Sequence, residues 1–324
     1  MMNSILPLDP ARYRRHRIHV EDRNWAETNC YVDVWIELLH AWGFDPIAAL
    51  PFTLTIDFEG DQWTFFKFPL SDLLDLYGLD VQELAIWRRL VDHVSEQVAL
   101  GRPVLVELDS YFLPDTAGTA YRREHVKSTV AVNAIDLEAH RMGYFHNQGY
   151  FELAGEDFAK VFRLEDGEAG GALPPYVEFV KRRDLPARSE EELARRSLSL
   201  LRRQIGLLPE GNPFQKFKLR FEQDWDWLSS APLDVFHQYS FATLRQFGAC
   251  FELSATYLAW LRERTAEELG GPLRALAEIS SGAKALQFQL ARAMARKKGI
   301  DLSAIDAMAE QWQAAMTQLR VRFS

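Results

Sequence analysis

The chain is predicted to be an α+β protein, with a mixed N-terminal half followed by an all-helical C-terminal half. Three observations carry this. Short β-branched and aromatic runs alternate with helical stripes up to about residue 165, whereas beyond it apolar residues recur almost throughout at helical spacing. Between them, the stretch Glu165-Asp166-Gly167-Glu168-Ala169-Gly170-Gly171-Ala172-Leu173-Pro174-Pro175 has the glycine, proline and charge of an exposed connection. At 324 residues and 48% hydrophobic composition, the chain is long enough for two cores. The expected domains are therefore residues 1–165 and 176–324.

The first helix is expected over Tyr31 to Trp42, where Val32, Trp35, Ile36, Leu39 and Trp42 share one stripe and Gly43 stops it. Phe52 to Phe58 and Trp63 to Phe68 read as a hairpin about Glu59-Gly60-Asp61-Gln62, and Val81 to Ala99 as a helix. Pro103 to Leu108 and Val126 to Asn133 read as strands, the second returning through the polar turn Asp136 to Arg141 as Met142 to His146. In the second half, Ser189-Glu190-Glu191-Glu192 is a capping signature for a helix reaching about Ile205. Further helices are expected near 213–229, 234–264, 272–298 and 302–322.

Charge and cysteine content exclude several classes. The first 175 residues hold 15 lysines and arginines against 28 acids, and the rest 22 against 18, so a net charge of −13 precedes one of +4. A basic half suits an acidic partner, but its cations are interleaved with acids and no nucleic-acid-binding motif accompanies them. Neither a Walker loop nor a dinucleotide-binding glycine pattern occurs, so no cofactor is expected. No run approaches ~18 uninterrupted apolar residues, and Met1 to Pro10 lacks the pattern of a signal peptide, so a cytoplasmic protein is expected. His16, His19 and Glu21 are too few for a metal site, and the surrounding arginines repel a cation.

Two cysteines, Cys30 and Cys250, lie far apart, and both are expected to be free. Cys250 falls within a long helical pattern and reads as core. Cys30 stands where the first helix should begin, and a thiol there faces unpaired N–H groups and the positive end of the helix dipole. A cysteine in that place is usually a small core residue. Its company argues for chemistry. His125 opens one strand, Asn147 closes the next, and Asn24 lies six residues upstream of the thiol. Those types supply a base, an acceptor to orient it and a donor for an oxyanion. Asp136 competes with Asn147 as the orienting group, but sits at the far end of the hairpin from His125.

The runs Thr28-Asn29-Cys30-Tyr31, Val104 to Pro114 leading to His125, and Gly143-Tyr144-Phe145-His146-Asn147 resemble the N-terminal domain of butirosin biosynthesis protein H-like enzymes. Those are papain-fold relatives of the bacteriocin-processing cysteine peptidases. The whole chain, including Asp57 to Lys67 and Arg245-Gln246-Phe247-Gly248, resembles a bacterial domain-of-unknown-function family. The resemblance to the characterised enzymes covers roughly residues 15 to 165. It implies a papain-like N-terminal domain, with Cys30 as acyl-accepting nucleophile, His125 as base, Asn147 where those enzymes tend to carry Asp, and Asn24 where the peptidases place Gln.

The activity implied is acyl or aminoacyl transfer from the phosphopantetheine thioester of a carrier protein to a small amine, through an acyl-Cys30 intermediate. Two alternatives accompany it. A cysteine hydrolase, a peptidase or amidase, would use the same triad with water as acceptor. A non-catalytic binding protein would keep the fold and dock a partner through the helical half.

Overall fold

A computed structural model describes residues 3–165, 173–184, 188–296 and 301–323. It divides into two compact units, each assembled from separated stretches of chain: a sheet unit of residues 1–21, 29–46 and 73–186, and a helical unit of residues 22–28, 47–72 and 187–324. The sequence places the divide instead at 165–175. Residues 166–172 of that expected connection lie outside the described residues, and the strand that follows them belongs to the sheet unit.

The sheet is antiparallel throughout. In chain order its strands are β1 (Asn3–Ser4), β2 (Leu79–Glu83), β3 (Val104–Asp109), β4 (Lys127–Asp136), β5 (Arg141–His146), β6 (Gly149–Ala154) and β7 (Val177–Arg182). They lie side by side as β2-β7-β3-β4-β5-β6, with β1 added to β4. The β4-β5-β6 meander is local, whereas β7 inserts between β2 and β3 after a long excursion. Helix α1 (Cys30–Ala41) packs on β4 and β5. Alternation sorts the side chains. Val104, Val106 and Leu108 join Val130, Val132 and Tyr144 in a core that also takes Val91, Val94 and Val98 from α3 (Leu90–Ala99).

The helix expected over 81–99 is in fact strand β2, a loop and then α3. Leu79 and Val81 alternate inward because β7 pairs with them, with Val81 opposite Val180. The sequence pattern marks no strand at β7, which leaves β2 without a visible partner. The hairpin expected at 52–68 is likewise replaced. Pro46–Thr55 is a run of 3-10 turns containing Pro51, and only Phe58 and Trp63 form a bridge about the expected turn. The Thr53 and Thr55 hydroxyls donate to the carbonyls of Leu50 and Phe52, a local alternative to strand pairing.

The helical unit follows its sequence pattern closely. Ser189 caps α5 (Glu190–Ile205), accepting the Glu192 N–H at 3.1 Å. Then come α6 (Pro213–Ser230), α7 (Leu233–Ser240), α8 (Gln246–Arg264), α9 (Gly270–Arg296) and α10 (Ser303–Phe323), numbered after α2 (Leu70–Tyr77) and α4 (Gly155–Val161). A π segment, Phe241–Arg245, joins α7 to α8, so the single helix expected over 234–264 carries a local widening of its turn. Residues 297 and 298 of the helix expected to end there lie outside the described residues. The core is aromatic: Trp63 packs 4.7 Å from Phe247 and 5.1 Å from Phe214, ring centre to ring centre. No described helix is long and apolar enough to cross a membrane.

Candidate functional site

Cys30 is the first residue of α1, and its thiol is free and half-buried. Asn29 caps the helix by accepting the Val32 N–H at 2.9 Å. The neighbouring Tyr31 sends its hydroxyl to Glu178 of β7, 2.9 Å away. Glu178 stands opposite Leu105 on β3, so it shares a sheet face with Leu105 and with the alternate positions Glu107 and Asp109. That is the face away from the Val104-Val106-Leu108 core.

A row of charge continues along this face. Lys127 donates to Glu107 at 2.6 Å, and His125 Nδ1 pairs with the Asp109 carboxylate at 2.7 Å. The His125 ring lies flat on Tyr111, with centroids 4.3 Å apart, and its side chain is 68% exposed. Facing a carboxylate, Nδ1 carries the proton, which leaves Nε2 as the basic nitrogen. Among the described residues nothing bonds that Nε2, and no hydrogen bond joins His125 to Cys30.

The two amides stand elsewhere. Asn147 opens the two-residue turn between β5 and β6, where His146 pairs with Gly149, and adopts a left-handed φ of 44° that asparagine tolerates. Asp136 accepts the Ala139 N–H in the β4–β5 turn. The orienting group on His125 is thus Asp109, a residue the sequence reading passed over. Asn24 belongs to the helical unit, where its amide nitrogen donates to the Ser281 hydroxyl at 3.1 Å and its backbone N–H to Glu252 at 2.9 Å.

Two further histidine centres occur in the sheet unit. His19, in a 3-10 turn, is buried between Asp33 and Glu37 of α1, and Tyr13 donates to the other Glu37 oxygen at 2.6 Å. Burial opposes a charge on this ring, but the hydrogen bonds to Asp33 and Glu37 outweigh it and hold the pKa up to about 9. His16 accepts the Ile18 N–H, and Glu21 pairs with Arg17. This centre ties the N-terminal segment to α1.

The other centre is a linear relay. Ser128 Oγ lies 2.7 Å from His146 Nε2, His146 Nδ1 lies 2.5 Å from Asp115, and Tyr144 bonds the second Asp115 oxygen at 2.5 Å. Burial and the Asp115 charge push the Tyr144 phenol up, so it stays protonated and donates. The signal in the sequence was the strand alternation: Ser128 and His146 occupy the same inward phase as Val130, Val132 and Tyr144, where a polar residue needs a partner.

Fold and site together describe a protein with an antiparallel sheet overlaid by a helix, bearing a thiol at the helix start and three histidines held by carboxylates, in a 3-10 turn, just before β4 and at the end of β5. Models of the DUF1839 N-terminal domain and the DUF1839 C-terminal domain match residues 14–182 and 190–321, and the chain belongs to this family. No curated protein matches it.

Proposed function

We propose that the chain is a cysteine-dependent acyl or aminoacyl transferase with a papain-like sheet unit, taking its acyl group from a carrier-protein thioester and passing it to a small amine. The observation that supports this most is Cys30, half-buried and free at the start of α1, next to Tyr31, which bonds Glu178 on the sheet face that carries Asp109 and its partner His125. In the reaction, the Cys30 sulfur attacks the thioester carbonyl and the pantetheine thiol leaves with a proton. The amine then attacks the acyl-cysteine, and the sulfur departs as the amide forms. His125, held by Asp109 with Nε2 open to solvent, is suited to move the protons. Asn147 keeps the sheet turn and Asn24 its contacts in the helical unit, so neither carries a chemical step in this reading.

The test is covalent loading. Incubation with a panel of aminoacylated carrier proteins, followed by intact-mass spectrometry, is expected to add one acyl mass to the wild-type chain and none to Cys30→Ala. Loading that persists in Cys30→Ala, or that maps to Cys250, overturns the proposal. Added amine should release an amide; release of free acid alone, unchanged by amine, assigns the hydrolase reaction instead.

A further inference from the structure

Ser128, His146 and Asp115 form a hydrogen-bonded line that, with a neutral imidazole facing the carboxylate, runs in one direction. Asp115, accepting from Tyr144 at one oxygen, is a carboxylate with the second oxygen facing His146 Nδ1 at 2.5 Å. That nitrogen must therefore carry the ring proton, which leaves Nε2 as an acceptor. The Ser128 hydroxyl, 2.7 Å from Nε2, has its single proton committed to it. This is the tautomer and order required for a histidine to take a proton from a serine as the oxygen attacks.

Exposure fits the same assignment. The His146 and Asp115 side chains are 1% and 4% exposed, whereas Ser128 is only half-buried. The base is shielded more fully than the serine. Its surroundings on that face are apolar, with Leu108 directly across the ladder and Val130 two positions along the strand. Val126, two positions before it, is 46% exposed.

We propose that Ser128 is an activated nucleophile that accepts acyl groups from esters with small apolar acyl parts. The Ser128 oxygen forms a bond to the ester carbonyl carbon while its proton passes to His146 Nε2. The bond to the leaving alkoxide then breaks, the alkoxide taking that proton, and water returns the serine by the reverse sequence with release of the acid. The assignment is independent of Cys30, whose sulfur plays no part in it.

A fluorophosphonate probe tests it directly, because its phosphorus is attacked by such a serine with loss of fluoride. Full-length Cys30→Ala protein is expected to be labelled at Ser128 by peptide mapping, and the additional Ser128→Ala change to abolish labelling. Asp115→Asn is expected to slow labelling by on the order of 10²–10⁴-fold, since the amide no longer fixes the ring tautomer. Folded wild-type protein that stays unlabelled at Ser128 overturns the inference, whatever the variants do, and makes the line a tie between the Pro114–Thr116 turn and the sheet. Iodoacetamide labelling of Cys30 in wild-type protein reports the thiol separately, so the two nucleophiles stand or fall apart.

Discussion

The two compact units spend their buried polar groups differently. Seven of the eight histidines fall in the sheet unit, and three of them (His19, His125 and His146) are bonded to carboxylates. The helical unit has only His237, and its buried polar side chains include hydroxyls and amides that serve packing, such as Ser254 on Thr53 and Asn212 on the Ala309 carbonyl. The two thiols repeat the contrast. Cys30 is half-buried at a helix start, whereas Cys250 is fully enclosed in α8 with its sulfur 3.2 Å from the Thr53 carbonyl, and burial pushes that thiol up. Histidine–carboxylate pairs gather in the sheet unit, on strands and on the turns beside them; the helical unit supplies aromatic core.

The sharpest way to break the contrast is to exchange the roles of the thiols. Cys30→Ala should lower acyl transfer by roughly 10³-fold or more, while Cys250→Ala should leave loading intact, as read by rate and intact mass. A transfer defect in the second variant alone would place chemistry in the helical unit. The largest stability effect is expected from the aromatic core: Phe217→Ala should cost about 3–5 kcal/mol by denaturant titration, since the ring is fully buried against Trp63 and Phe247.

His19 makes the next prediction, and its sign is fixed by its raised pKa. Because the folded ring holds its proton up to about 9, above the ordinary 6.5, its contribution is complete below about pH 6.5 and is lost as pH rises through 9. The sheet unit should therefore weaken by on the order of a few kcal/mol across that window, and His19→Gln should flatten the slope of denaturation midpoint against pH. An unchanged slope in the variant would remove His19 as its source. Gly248→Ala tests the helical unit on a smaller scale. An added Cβ would stand 2.5 Å from the Trp25 ring, and the expected cost is about 1–3 kcal/mol. Smallest is Ser189→Ala, expected to cost about 1 kcal/mol through the lost cap on α5.

Legibility in the sequence followed the range of the interactions. α1, α5 and the later helices were readable because caps, stripes and stops are written within one turn or two, as at Ser189 and Gly43. The β4–β5 hairpin was readable for the same reason. β2 was not, because its partner β7 lies nearly a hundred residues further on and Val81 means little without Val180. Cys30 was found from its local setting at a helix start. Asp109, Asp115 and Ser128 were missed because each acquires its meaning from a residue on another element, and a serine in a strand carries no mark of the histidine beside it.

The helical unit's three-part composition has a consequence for biosynthesis. Residues 47–72 belong to it, yet they leave the ribosome more than a hundred residues ahead of α5. At synthesis rates of about 5–20 residues per second, this stretch waits roughly 6–24 s for α5 to begin and longer for the helices after it. Ile47, Leu50 and Leu54, wholly buried in the finished protein, are bare for that interval. A nascent chain stalled near residue 186 should be a ready client for a chaperone, and one released there should aggregate, although the family boundary between residues 182 and 190 makes it look like a natural place to cut.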